Sequence, residues 1–241
     1  MGTQALLVIV ASVLVAAMVQ AVSGFGFALL SVPLMTLAVD AHTAVIVSTL
    51  TGVLVTTSLA WRLRENADVV LARRLAVAAY AGMPLGLAVF LFVGERTLLR
   101  LLGLAVAVAV ILLVAGVDLS RRGRGLELGA GFVSGVLSTS VSTNGPPIVF
   151  ALQSRRLGAD AFRGTITMVF AFCNLGAMAA FLLAGEVTLD GLRASAVSVP
   201  ALLVGQALGR PLRPRLQGER FRWLVVGLLT AVAARTLWAS V

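Results

Sequence analysis

The chain has 241 residues and a formal net charge of +9, yet only 12% of its residues are charged and 59% are hydrophobic. Soluble domains carry roughly a quarter charged residues, so this composition, with a mean hydropathy of +1.03, excludes a soluble fold. Charge-free stretches of about 17 to 27 residues recur, the length a bilayer span requires, and the short alternating strands of a membrane β-barrel are missing. An all-α polytopic membrane protein is the class that remains.

All 19 basic residues are arginines, most of them between apolar runs. That is the positive-inside pattern, and it removes nucleic acid as a partner. A single cysteine, Cys173, rules out an intramolecular disulfide and a multi-cysteine metal site, and a single histidine, His42, argues against a histidine-based one. No metal and no cofactor is expected. The N-terminus lacks a basic leader and a cleavage site, so it reads as a first membrane segment and not a signal peptide.

In chain order, Leu6 to Val22 is long enough to cross most of a bilayer, and Ser23-Gly24-Phe25-Gly26-Phe27 then interrupts it. Ala28 to Val39 is too short for a comfortable span and ends at Asp40-Ala41-His42. Thr43 to Trp61, Leu75 to Val93 and Leu98 to Val117 are full spans, separated by the arginine-rich loop 62–74 and the tight turn Gly94-Glu95-Arg96. Residues 119–126 read as a linker between a first membrane unit, 1–118, and a second, 127–241. Leu128 to Ser154 carries no charge but contains Ser140-Val141-Ser142-Thr143-Asn144-Gly145-Pro146-Pro147. Two prolines cannot continue a helix, and each disfavours helix at the residue before it. Proline does suit a first helical turn with Ser, Thr or Asn as the cap, so a second short helix is expected to start at Asn144 or Gly145. Arg155, Arg156 and Arg163 form the next basic loop. Thr165 to Ala184, Ala194 to Leu208 and Trp223 to Ala239 are spans, with loops at Glu186–Arg193 and Arg210–Arg222.

Placing the basic loops in the cytoplasm puts Arg124 and Arg155 on one side, so Leu128–Leu152 must enter and return as a broken hairpin. The first half reads the same way, with the N-terminus and Asp40 outside. Each half is then one broken helical hairpin plus three spans, giving eight to ten membrane segments and both termini outside. Three is odd, so the halves are oppositely oriented. A slide of about 119 residues supports this: it lays Gly24-Phe25-Gly26-Phe27 over Thr143-Asn144-Gly145-Pro146 and Ile46-Val47-Ser48-Thr49 over Thr165-Ile166-Thr167-Met168. Two inverted repeats with discontinuous helices are a transporter plan, with substrate at the repeat interface.

Facing half-helix N-termini attract an anion through free N–H groups and about half a positive charge each. The expected substrate-binding residues are Ser23, Gly24, Phe25 and Gly26 at the first break, and Ser142, Thr143, Asn144, Gly145 and Pro146 at the second. Gln20, Ser140, Thr49, Asn174 and Gln206 are expected behind them. Such a donor ring suits a small oxyanion and suits a metal cation poorly. Plainer roles stand beside these. Gly24, Gly26 and Gly145 can serve close helix approach, while Gly82, Gly86, Gly205 and Gly209 read as packing. His42 reads as a loop or interface residue before a proton relay, Cys173 as inert packing, and Phe25 and Phe27 as core.

At the two breaks the sequence resembles the sulfite exporter TauE/SafE family, also called the toluene sulfonate uptake permease family. Ser23-Gly24-Phe25-Gly26-Phe27-Ala28-Leu29-Leu30-Ser31-Val32-Pro33-Leu34 is similar to its glycine-rich first signature, and Thr143-Asn144-Gly145-Pro146-Pro147-Ile148-Val149 to its glycine-proline second. The sequence departs from the family pattern at Phe27, where a third glycine is common, and at Asn144, where many members carry Gly. The resemblance implies secondary transport of sulfite, sulfonates or related anions across a bacterial inner membrane, in either direction. A homodimer is compatible with it. Alternatives are a passive anion channel, an accessory membrane subunit of a larger complex, and a membrane enzyme, the last disfavoured because the spans offer almost no titratable group. Only Asp40 and His42 approach a span as candidate coupling groups, so uniport driven by the anion gradient and the membrane potential is the plainer expectation, with a lean toward export.

Overall fold

The computed structural model describes residues 1–115, 124–155, 157–212 and 227. Among them are nine α-helices: α1 Thr3–Ser23, α2 Phe27–Met35, α3 Ala41–Leu63, α4 Val69–Phe92, α5 Glu95–Ala115, α6 Arg124–Val141, α7 Gly145–Gln153, α8 Ala159–Leu183 and α9 Leu189–Leu212. Five of them, α1, α3, α4, α8 and α9, are long and apolar enough to cross a membrane. Apart from residue 227, the expected last span, 223–239, lies outside the described residues, as do residues 116–123 and most of the 210–222 loop.

Both broken hairpins are present. Helix α1 stops because Gly24 adopts φ 84° and returns its N–H to Gln20 O at 2.7 Å. Gly26, at φ 92°, re-enters the chain into the nine-residue α2. At the second break Ser142 takes the left-handed conformation without being glycine, at φ 56°. Asn144 then stands at the N-cap of α7, with proline at its first turn, as the sequence chemistry requires.

Contacts between loops sort the molecule into two ends. The Met1 ammonium pairs with Asp190, the Ala41 N–H donates to Glu95, and the His42 ring lies 3.1 Å from Phe90 O. These share one end. At the other end the Asp68 N–H donates to Thr165, and Glu127 is gripped by Arg74 and Arg155. Glu127 opens α6 and Arg155 follows α7, so the α6–α7 segment leaves this arginine-rich end and comes back to it. The in-and-return path expected for Leu128–Leu152 is therefore present.

Glycine lets the backbones close. A Cβ on Gly82 would strike Phe132 O of α6, and one on Gly86 would strike Val136 O. Gly205 and Gly209 of α9 do the same to Leu14 O and Met18 O of α1, each at 2.5 Å. Small residues four apart permit this approach in membranes. Thus α4 runs along α6 and α9 along α1, while α3 and α8 pack antiparallel between the two pairs.

Some expected boundaries move. Arg163 is not a loop residue: α8 begins at Ala159, after Gly158 turns the chain with an extended backbone and accepts from the Phe162 N–H. The first turns of this helix carry charge because they project past the apolar layer, which hydropathy alone reads as loop. Likewise α9 starts at Leu189, inside the expected 186–193 loop, and α6 starts at Arg124, inside the expected linker.

Candidate functional site

The two breaks meet. One cavity is lined by Gly26, Phe27, Ala28 and Leu29 from the first and by Ser142, Thr143, Asn144 and Gly145 from the second. Gln20 of α1, Ser48, Gly52 and Thr56 of α3, and Phe170 and Asn174 of α8 complete the wall. None of these side chains is charged, so polarity comes from hydroxyls, amides and helix N-termini. The void is about 20 Å³, against the ~10–15 Å³ that a single water needs. An oxyanion with three oxygens does not fit without movement of the walls.

Hydrogen bonds fix the second break from three directions. The Ser134 hydroxyl donates to Asn144 O at 2.9 Å, the Thr143 N–H reaches Leu137 O at 3.1 Å, and Ser142 Oγ lies 3.0 Å from Thr49 Oγ1. The left-handed Ser142 costs about 1–2 kcal/mol relative to glycine, and its hydroxyl bond to Thr49 offsets part of that. At the first break Ser23 Oγ stays local, accepting from the Phe25 N–H at 3.2 Å and lying 2.9 Å from Val19 O. No side chain caps α2 or α7. Their donor capacity nevertheless differs. Pro146 and Pro147 carry no N–H, so the first turn of α7 offers only the Gly145 and Ile148 amides, whereas α2 offers a full set.

Four buried side-chain atoms have no hydrogen-bond partner among the described residues: Gln20 Oε1, Asn144 Nδ2, Thr167 Oγ1 and Arg163 Nε. Unpaired buried polar groups are costly and rare. Two of the four belong to cavity residues, which are otherwise sealed: Gln20 is 1% exposed and Asn144 6%.

The expected residues divide accordingly. Gly26, Ser142, Thr143, Asn144 and Gly145 line the cavity, with Gln20 and Asn174 beside them; Thr49 holds Ser142. Ser23 and Gly24 form the turn itself, and Phe25 and Pro146 line a separate small pocket with Val149. Ser140 bonds back to Val136 O within its own helix. Gln206 donates to Ala17 O in the α9–α1 seam and does not reach the cavity. His42 also stands apart, packed edge-on against Phe90, whereas Cys173 is a buried free thiol beside the Ser134 and Asn144 side chains. Sequence reasoning missed Ser48, Gly52 and Thr56 as a set: they fall four apart along one helix, but in an apolar span that spacing does not tell which face is buried.

Interrupted helices meeting at a buried, uncharged, donor-rich cavity define a membrane transporter, since irregular backbone at membrane depth persists only inside protein or around a cavity. The family model for sulfite exporter TauE/SafE matches residues 9–236, and the chain belongs to that family: it is a membrane transporter of sulfur compounds and not an enzyme. Comparison with curated proteins and with solved structures returns no match.

Proposed function

We propose that the chain carries small sulfur oxyanions, sulfite or sulfonates, through this cavity by rocking two inverted repeats against each other. The observation that carries the reading is the meeting of both breaks at one uncharged cavity with unpaired buried polar atoms. An anion in such a place is held by N–H and O–H donors without a metal or a buried acid.

The repeat reading is supported by spacing. Helix α2 starts at Phe27 and α7 at Gly145, and α3 at Ala41 and α8 at Ala159, each pair 118 residues apart; α4 and α9 start 120 apart, at Val69 and Leu189. This register, one residue shorter than the sequence slide, equates Gly24 with Ser142, both left-handed, while Gly26, also left-handed, falls on Asn144 at φ −92°. The Gly-lined seam of α4 on α6 resembles that of α9 on α1 only with slippage: Phe132 and Val136 follow Leu14 and Met18 by 118 residues, but Gly205 and Gly209 follow Gly82 and Gly86 by 123.

By the positive-inside rule the arginine-rich end faces the cytoplasm of a bacterial inner membrane and Met1 faces out. A negative interior then favours expelling an anion by about 2.3 kcal/mol per charge per 100 mV, so the direction is export. The test is uptake of labelled sulfite into proteoliposomes holding the purified protein, competed by sulfonates, sulfate and simple carboxylates. Saturable flux blocked by one sulfur anion class is expected. Unsaturable flux would indicate a channel, and no flux from monodisperse protein would indicate an accessory subunit.

A further inference from the structure

The remaining two unpaired atoms lie on a single helix face. Arg163, Thr167, Phe170 and Asn174 fall at i, i+4, i+7 and i+11 of α8, one above another on one side of the helix. Phe170 and Asn174 line the cavity. Thr167, one turn lower, is 1% exposed and its hydroxyl has no partner. Arg163, a further turn toward the arginine-rich end, is half-buried with an unpaired Nε. Its side chain packs on the first break: Nε and Cγ lie 3.5 and 3.6 Å from where a Cβ of Gly24 would stand. Two residues on, Gly26 enters the cavity wall.

The matching face of α3 differs. At the 118-residue register Thr49 corresponds to Thr167 and Val45 to Arg163. Thr49 is bonded to Ser142 and to Val45 O, so that half is sealed and neutral. The α8 half holds a cation and a spare hydroxyl.

We propose that the Arg163–Thr167 face of α8 is the anion's path between the cavity and the arginine-rich end. In it Arg163 is the charged recognition group and Thr167 a relay donor. This rests on the transporter reading above. Guanidinium forms a planar fork suited to a sulfur oxyanion, and a burial that leaves Nε without a protein acceptor provides for one supplied by the substrate. Gly24 is glycine because of its positive φ, and the Arg163 side chain lies in ordinary contact with that turn.

The experiment compares wild type, Arg163→Gln, Arg163→Lys and Thr167→Val in proteoliposomes, reading the KM and maximal rate of labelled sulfite uptake together with thermal stability in detergent. Arg163→Gln is expected to raise KM about tenfold or more, the loss of one charge-assisted contact, and Arg163→Lys to raise it less. Thr167→Val is the sharper variant. It removes a hydroxyl that has no protein partner, so stability holds or rises, while KM still rises. A structural role gives no such split. Saturable wild-type flux with unchanged KM in Arg163→Lys and Thr167→Val overturns this path and leaves the transporter intact. Absence of saturable wild-type flux overturns both.

Discussion

Asn174 Nδ2 donates to Thr56 Oγ1 at 3.2 Å, tying α8 to α3 where both residues face the cavity. The two are 118 residues apart, the spacing that also separates the starts of α3 and α8. In the proposed inverted repeat the two are counterparts, which puts this hydrogen bond at the axis relating the proposed halves. Thr56→Val keeps the shape, removes the acceptor and frees the Asn174 amide. The expected loss is about 1 kcal/mol of stability, read by thermal denaturation in detergent, with a changed KM for sulfite.

Asn144→Leu is expected to abolish transport in a folded protein. The side-chain amide is buried and unpaired, and what locks the turn is the backbone carbonyl bonded to Ser134, which the substitution leaves in place. Flux in proteoliposomes and the elution profile of the purified variant check the two halves of this prediction. Wild-type flux would remove Asn144 from the site.

The glycine seams are a matter of space. Gly86→Val and Gly209→Val each push a side chain into a facing backbone carbonyl, and overpacking of this kind costs about 1–3 kcal/mol. Gly129→Ala, with nothing within 4 Å of the new Cβ, serves as the control and should be neutral or slightly stabilising. Melting temperatures of the three variants decide it.

Glu127→Gln leaves Arg74 and Arg155 without their shared counter-charge. The Glu127 side chain is 2% exposed, while the two arginines are 33% and 42% exposed. Water relieves part of the loss, so about 2 kcal/mol is expected, below the ~3–5 kcal/mol of a fully buried pair. Denaturation in detergent measures it. Glu127→Asp, a methylene short of both partners, should fall between.

Asp40 caps α3. Burial raises its pKa, but bonds from the Thr43 N–H and hydroxyl outweigh that and hold it below the usual carboxylate value. A depressed folded pKa means the stabilisation is present above the unfolded pKa, about 3.9, and is lost as pH falls through the folded value. Asp40→Asn should flatten the acid limb of the stability profile while costing less than about 1 kcal/mol at neutral pH, since asparagine also caps. A melting series across that acid range checks both.

Much of this arrangement could be read from the chain, and the reasons are local. Proline without an N–H, glycine at positive φ and charge between apolar runs act within a few residues, so both breaks, the start of α7 and the return of α6–α7 to one end were legible. The faces of α3 and α8 were not. A membrane helix is apolar on every side, so periodicity does not tell which side is buried. Hence Gly52, Thr56 and Phe170 emerged only from the packing. Arg163 was misplaced for a related reason: its charge made a helical turn look like loop, when only its contact with Gly24 shows what it faces.

The grip on Glu127 also bears on how the chain is made. Arg74 belongs to α4, synthesised well before α6, whereas Arg155 is reached only after α7 has emerged. The second hairpin thus cannot be fully clasped while it is being threaded out of the ribosome; its entry helix finds one guanidinium already made and the other arrives last. The full grip on Glu127 is therefore a late event, complete only once the chain has been made through Arg155.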